Sequence, residues 1–199
     1  MSILTFPNIK PNANNWGIQA NGQSMPSELD GSVQTASLPG DKWADVLTFT
    51  NVVDPAARIL RAFLASLRGE SGRFYLGPQD YHRAGSAPGS PLVKGAGQTG
   101  LTITTDGWTP SQSGILLTGD YIQIGAELKM ITADANSDSG GNATLSFTPP
   151  IRVSPADNSA IETTAPKCIM KLKDNSQARW PSQPGRIYAM SIAVEEALT

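Results

Sequence analysis

WADVLTFTN (residues 43–51), VVDPAARILRAFLASLRG (52–69) and ESGRFYLGP (70–78) read in order as strand, helix and strand. The helix is expected over about 54–68. Asp54 is placed to cap its N-terminus by accepting a backbone N–H, and Pro55 stands where a missing N–H costs nothing. Ala56, Ile59, Leu60, Phe63, Leu64 and Leu67 recur at i, i+3, i+4, i+7, i+8 and i+11, which is one helical face. Arg58, Arg61, Ser66 and Arg68 fall largely elsewhere, and Gly69 supplies the stop. This is the one strong helical pattern in the chain. Nearly everything else reads as strands and turns, so the helix is expected to plug or cover a β structure. No catalytic group lies in the block, which moves the question from chemistry to assembly.

The bulk numbers agree with a turn-rich β protein. The chain has 199 residues, 39% of them apolar, with 19 glycines and 15 prolines. A net charge of −2 and a pI near 5.3 argue against a nucleic-acid scavenger, which needs a dense basic surface. The single cysteine, Cys168, excludes an intrachain disulfide, and its strand-like setting PKCIMKLKD points to a structural, half-buried thiol. No segment approaches the roughly 20 apolar residues that span a bilayer. MSILTFPNIKPNANNW has no basic region followed by a long apolar run, so no signal peptide is expected and synthesis in a cytosol-like compartment is.

Working outward from the block, residues 1–51 read as short strands at 15–20, 31–37 and 43–50. Asn21-Gly22 and Pro39-Gly40 serve as turns, and Trp43, Val46 or Leu47, and Phe49 face the core. Residues 79–100, QDYHRAGSAPGSPLVKGAGQTG, have the composition of a linker or long excursion. Strands follow at 101–105, 114–118, 121–124, 127–133 and 143–147, the last stopped by Pro149-Pro150, which together suggest a small barrel or sandwich. After a strand at 167–173 and a polar bend, the run RIYAMSIAVE (186–195) alternates, with Tyr188, Met190, Ile192 and Val194 as the heavier, buried set. The organisation expected is an outer β domain with the helix from residues 1–85 and 163–199, and a small β domain inserted at 86–162.

The candidate chemistry is thin. His82, the lone histidine, lies two residues from Asp80 in a loop, and a solvated loop histidine is the plainer reading. Asp134, Asn136 and Asp138 begin like a calcium loop, but Ser139 and Leu145 stand where Gly and a bidentate Glu are needed, so a polar hairpin loop is expected. KGAGQTG (94–100) lacks the G-K-[ST] of a phosphate loop and opens no helix. Glu195 and Glu196 would face opposite sides of a strand rather than form a catalytic pair. Trp16 and Trp43 begin strands and suit a core; Trp108 (DGWTP) and Trp180 (ARWPS) sit in expected turns and are the candidate external contacts. Arg58, Arg61, Arg68 and Arg73 gather around the helix, where guanidinium forks would suit inter-subunit carboxylates or simply a solvated face. No catalytic residue, metal site or cofactor is expected.

Three blocks in one order, LDGSVQTASLPGDKWADVLTFTNV (29–52), ARILRAFLASLRGESGRFYLGP (57–78) and GDYIQIGAELKMITADANSDSGGNATLSFTPPIR (119–152), resemble distal tail or tail-tip adaptor proteins of long-tailed bacteriophages. They cover about two fifths of the chain. The resemblance implies a tail-tube-like β sandwich or split barrel with one flanking helix. It implies six copies in a ring at the distal end of the tail tube. The partners would be the tube protein, tail-tip hub or baseplate proteins and the tape measure protein, with DNA passing through without specific binding and no membrane insertion. The location implied is the virion, after synthesis in the host bacterial cytoplasm. Larger relatives of this kind carry an extra β domain for host-surface or carbohydrate contact. The alternative is therefore a receptor- or glycan-binding module acting through residues 86–162, with Trp108 and the 134–142 loop as its surface. A tail-associated hydrolase is the third reading and has no nucleophile motif to support it.

Overall fold

The computed structural model describes residues 2–38, 40–177, 179–183 and 187–198. Pro39 of the expected Pro39-Gly40 turn, Arg186 of the expected terminal strand, and Ala178, Pro184 and Gly185 of the polar bend lie outside the described residues. In chain order the elements are β1 (Leu4–Thr5), β2 (Gly17–Gln19), β3 (Gly22–Pro26), β4 (Val33–Ser37), β5 (Lys42–Val52), α1 (Ala56–Leu67) and β6 (Phe74–Leu76). There follow β7 (Gly89–Val93), β8 (Gly100–Trp108), β9 (Tyr121–Ile124), β10 (Glu127–Ile131), β11 (Ala143–Ile151) and β12 (Ile161–Glu162). β13 (Cys168–Leu172), β14 (Ser182–Gln183) and β15 (Ile187–Glu196) complete the fold, which is mainly β with one α-helix among the described residues, as the sequence indicates. The chain falls into two compact units, one comprising the residues up to Phe74 and from Met170 onward, the other Tyr75–Ile169.

In the first unit a mixed sheet runs β1-β6-β13-β15-β5-β2, with β14 also paired to β15. Its centre is the long antiparallel pair β15–β5, where Met190 faces Phe49, Ile192 faces Leu47 and Val194 faces Asp45. Tyr188, Met190, Ile192 and Val194 are buried, the set that the alternation selects. On β5 the buried set is Trp43, Asp45, Leu47 and Phe49, while Val46 is exposed. An aspartate thus occupies a core-facing position, which the apolar pattern alone does not reveal.

The helix begins at Ala56 with Pro55 as its N-cap residue, and no side chain caps it. Asp54 is therefore not the cap; its carboxylate lies 3.8 Å from Arg61. The buried stripe is Ala57, Leu60, Phe63, Leu64 and Leu67, and Ile59 is 52% exposed. At about 100° per residue Ile59 sits on the margin of a stripe centred on Leu60 and Leu67. The stripe is set by what it meets, since Phe63 packs edge-to-face on Phe6 at 5.3 Å and Phe74 at 5.4 Å. The helix stops at Arg68, already left-handed at φ 54°, ψ 47°, one residue before the expected glycine. Gly69 is also left-handed (φ 73°), and an added Cβ would lie 2.3 Å from Asn175 Oδ1, which accepts the Glu70 N–H.

The second unit is a nearly closed antiparallel sheet, β12-β9-β10-β11-β8-β7. The Val93 N–H donates to Ser159 O, and the Asn158 N–H to Val93 O, drawing β7 toward the segment before β12. Val93, Ile103, Ile122, Ile131, Leu145 and Phe147 are among its core residues.

Several expectations here need correction. Residues 79–100 are not linker: β7 lies among them, and Asp120 organises the rest. Its carboxylate, 1% exposed, accepts the N–H groups of Ala84, Gly85 and Leu117 and the Tyr81 hydroxyl. Residues 114–118 form no ladder strand but a loop bridged at Leu116–Ala135. Pro149-Pro150 does not stop β11, because both prolines fall in the stretch where the β8 register shifts and no ladder N–H is required there. The Asp106-Gly107 turn is instead part of β8, opposite a register shift in β7.

Candidate functional site

The β3–β4 hairpin stands apart. Its two strands pair with each other as a separate sheet, and every residue of both is exposed. Strands exposed on both faces bury no apolar side chain, and GQSMP and VQTAS show no apolar–polar alternation. The base is closed by Leu38 N–H to Asn21 O at 2.8 Å and Asn21 N–H to Asp41 Oδ1 at 2.7 Å. The tip, residues 27–32, is a polar-braced turn. Ser27 N–H donates to Ser32 O, Leu29 N–H to Ser27 Oγ, and Ser32 N–H and Oγ–H to Asp30 Oδ1. The Ser27 hydroxyl, joined by the Ser32 hydroxyl and N–H, holds the Asp30 carboxyl down at about 2. The turn presents Leu29 99% exposed between the acidic Glu28 and Asp30, with Met25 and Val33 exposed behind it.

The first unit also has a pocket of about 290 Å³ at the C-terminal end of α1, lined by Leu4, Ser66, Leu67, Arg68, Gly72 and Arg73, with Ser2 at its edge. Leu67 is fully buried behind this lining, and the half-buried Leu4 supplies its apolar part. Arg73 Nη1–H donates to the carbonyls of Glu70, Ser71 and Gly72, fixing a positive charge at the rim, while Arg68 is exposed.

The four arginines therefore separate. Arg68 and Arg73 share this pocket and Arg58 is exposed on the helix. Arg61 is engaged within its own chain: its guanidinium lies 4.5 Å over the Tyr188 ring, and its Nε–H donates to Ala57 O.

In the second unit Trp108 is 3% exposed, with Nε1–H donating to Thr105 Oγ1, whose hydroxyl donates to Ala143 O. It is a core residue, not an external contact, because β8 continues through Gly107 opposite the β7 register shift and turns the indole inward. Trp180 is half-buried. In the 134–142 loop, Asp134 Oδ1 accepts Thr118 N–H and Oγ–H, Asn136 Oδ1 accepts Gly114 N–H, and Asp138 Oδ1 accepts the N–H groups of Gly140 and Asn142. The Thr118 backbone holds Asp134 below the usual carboxylate range, and the Asn142 backbone does the same for Asp138. These oxygens brace turns. Beside them is a shallow polar pocket of about 440 Å³ that includes Lys94, Thr104, Asn142 and Thr144, with Lys94 Nζ bonded to Asn142 Oδ1. His82 and Asp80 are exposed. Cys168 is fully buried rather than half-buried, with Sγ 3.7 Å from Leu76 O. Among the described residues no cluster of three or more His, Cys, Asp or Glu side chains could hold a metal ion, and no helix is long and apolar enough to cross a membrane.

The residues that sequence reasoning missed are at the hairpin tip. SELDGS places a leucine inside a turn otherwise made of polar residues, a signal visible in the chain but outweighed by the helix block. Neither a protein-family model nor a curated protein matches the sequence.

Proposed function

We propose that this protein is a structural, ring-forming component of a bacteriophage tail tip that joins the tail tube to the tip and leaves a channel for the tape measure protein and DNA. The observation that carries the reading is the β3–β4 hairpin, exposed on both faces and bearing Met25, Leu29 and Val33 in the open. A two-stranded ribbon is marginal in isolation, and exposed apolar groups on a projecting arm belong to an interface with another chain. The resemblance of the three sequence blocks supplies the kind of assembly, a ring of six at the end of a tube. The role requires no catalytic step. The alternative of a glycan-binding module loses its main contact, since Trp108 is in the core.

The test is to shorten the arm. Leu38 N–H already bonds to Asn21 O, so residues 22–37 can be replaced by a tight turn without opening the sheet. Sedimentation is expected to show ring-sized oligomers for the full chain and monomers for the shortened chain, with the same thermal unfolding. An unchanged size distribution after shortening, or monomers in both, would overturn the reading.

A further inference from the structure

We propose that the arm's tip seats in the α1 pocket of the neighbouring copy: Leu29 enters beside Leu4, while Glu28 and Asp30 face Arg68 and Arg73. The proposal rests on the ring reading above and names the contact that would build it.

Three observations point to this pairing. The first is chemical fit. The tip is one fully exposed apolar side chain between two carboxylates, and the pocket sets the half-buried Leu4 with two arginines, Arg68 and Arg73. Asp30, held at about 2, keeps its charge at any working pH. An arginine rim suits carboxylates because its fork geometry matches theirs. The second is size: a pocket of about 290 Å³ has room for a leucine side chain, with the turn that carries it left outside.

The third is placement. In the sheet order β1-β6-β13-β15-β5-β2, the arm follows β2 at one edge and the pocket borders β1 at the other. Five strand spacings of about 4.8 Å separate those edges, roughly 24 Å. The arm's root and the pocket are therefore different surfaces, at opposite edges of this sheet. Repeated head-to-tail, such a contact closes into a ring when the rotation permits. Two chains that exchange arms reciprocally would make it twice and stop at a dimer, so a ladder beyond two chains separates the ring from the dimer.

The experiment is site-directed cross-linking of the full chain. Leu29→Cys and Ser66→Cys are combined and treated with a short bis-maleimide; the native Cys168 is buried and protected. A ladder of covalent multimers from the double variant, and none from either single variant, is the expected result. In parallel, Glu28→Arg and Arg68→Glu are each expected to weaken association roughly fivefold, and the combined variant to restore it. Thermal unfolding of each variant separates loss of contact from loss of fold. Rings that assemble with no ladder and no charge coupling would overturn this contact while leaving the ring reading in place. Monomers at every concentration, with the unmodified chain, would overturn both.

Discussion

At the scale of single residues, two carboxylates in the same sheet have opposite effects on stability. Asp45 is 2% exposed on the core face of β5, its Oδ1 accepts Asn15 N–H at 2.7 Å, and its Oδ2 has no hydrogen-bond partner among the described residues. Burial pushes its carboxyl above the ordinary value, and the backbone N–H groups of Asn15 and Val46 only partly oppose this. The folded state therefore holds the proton more tightly than the unfolded one. Its contribution is greatest below the unfolded pKa of about 4 and is lost as pH rises through the folded value. Asp45→Asn is expected to raise stability at pH 7 by about 1–2 kcal/mol, with the gain shrinking as pH falls toward about 4. Thermal unfolding at the two pH values checks this. Glu195 is the reverse case. Burial disfavours its charge, but hydrogen bonds from Lys42 at 2.8 Å and Lys171 at 3.0 Å outweigh that and hold it below the ordinary value. Its contribution is present above the unfolded pKa and lost as pH falls through the folded one. Glu195→Gln is expected to lower stability at pH 7 by about 1 kcal/mol and to match the parent in acid. Gly85 gives a third test. An added Cβ would lie 2.6 Å from Ile115 O and 2.7 Å from Leu116 Cα, so Gly85→Ala should destabilise the protein by about 1–3 kcal/mol in thermal unfolding.

At the scale of elements, what the chain discloses depends on whether neighbours agree with local pattern. The helix is legible because its apolar spacing is strong, yet its buried stripe is shifted by Phe6 and Phe74, which are distant in sequence. Leu60→Ala is expected to cost about 2–5 kcal/mol and Ile59→Ala about 0.5 kcal/mol or less, measured by denaturant unfolding. Comparable costs at the two positions would place the stripe as the bare spacing does, with both residues on the buried face. The terminal strand was equally readable, since its heavy residues alternate and its partner β5 accepts that face. The segment 79–100 was not. Its Gly, Ser and Pro content signals chain freedom, and the order around residues 81–85 comes from one buried carboxylate, Asp120, which lies some 35 residues further along the chain. Asp120→Ala should therefore speed amide exchange at Ala84, Gly85 and Leu117 well before it affects β8 and β11. Trp108 falls in a turn by its sequence for a related reason: DG reads as a turn, and only the pairing with β7, which bulges opposite it, shows DG to be part of a strand.

At the scale of the whole molecule, the hairpin on which the proposed assembly rests is partly legible in the sequence. The sequence shows the Asn21-Gly22 turn and a strand at 31–37, but it cannot show that a strand has no sheet to join. The clue is negative, two strands with no apolar face, and such strands are weakly specified until something pairs with them. The same chain has a basic-rimmed pocket at the far edge of the sheet. Arm and pocket together make the protein two-ended, so that its assembly is expected to be directional and closed. Native mass spectrometry of the unmodified chain across a concentration series, with negative-stain images of the same sample, tests this most directly. The account predicts one closed species, a six-membered ring with a central hole. A protein that stays monomeric throughout, or that stops at a two-fold symmetric dimer, would contradict it.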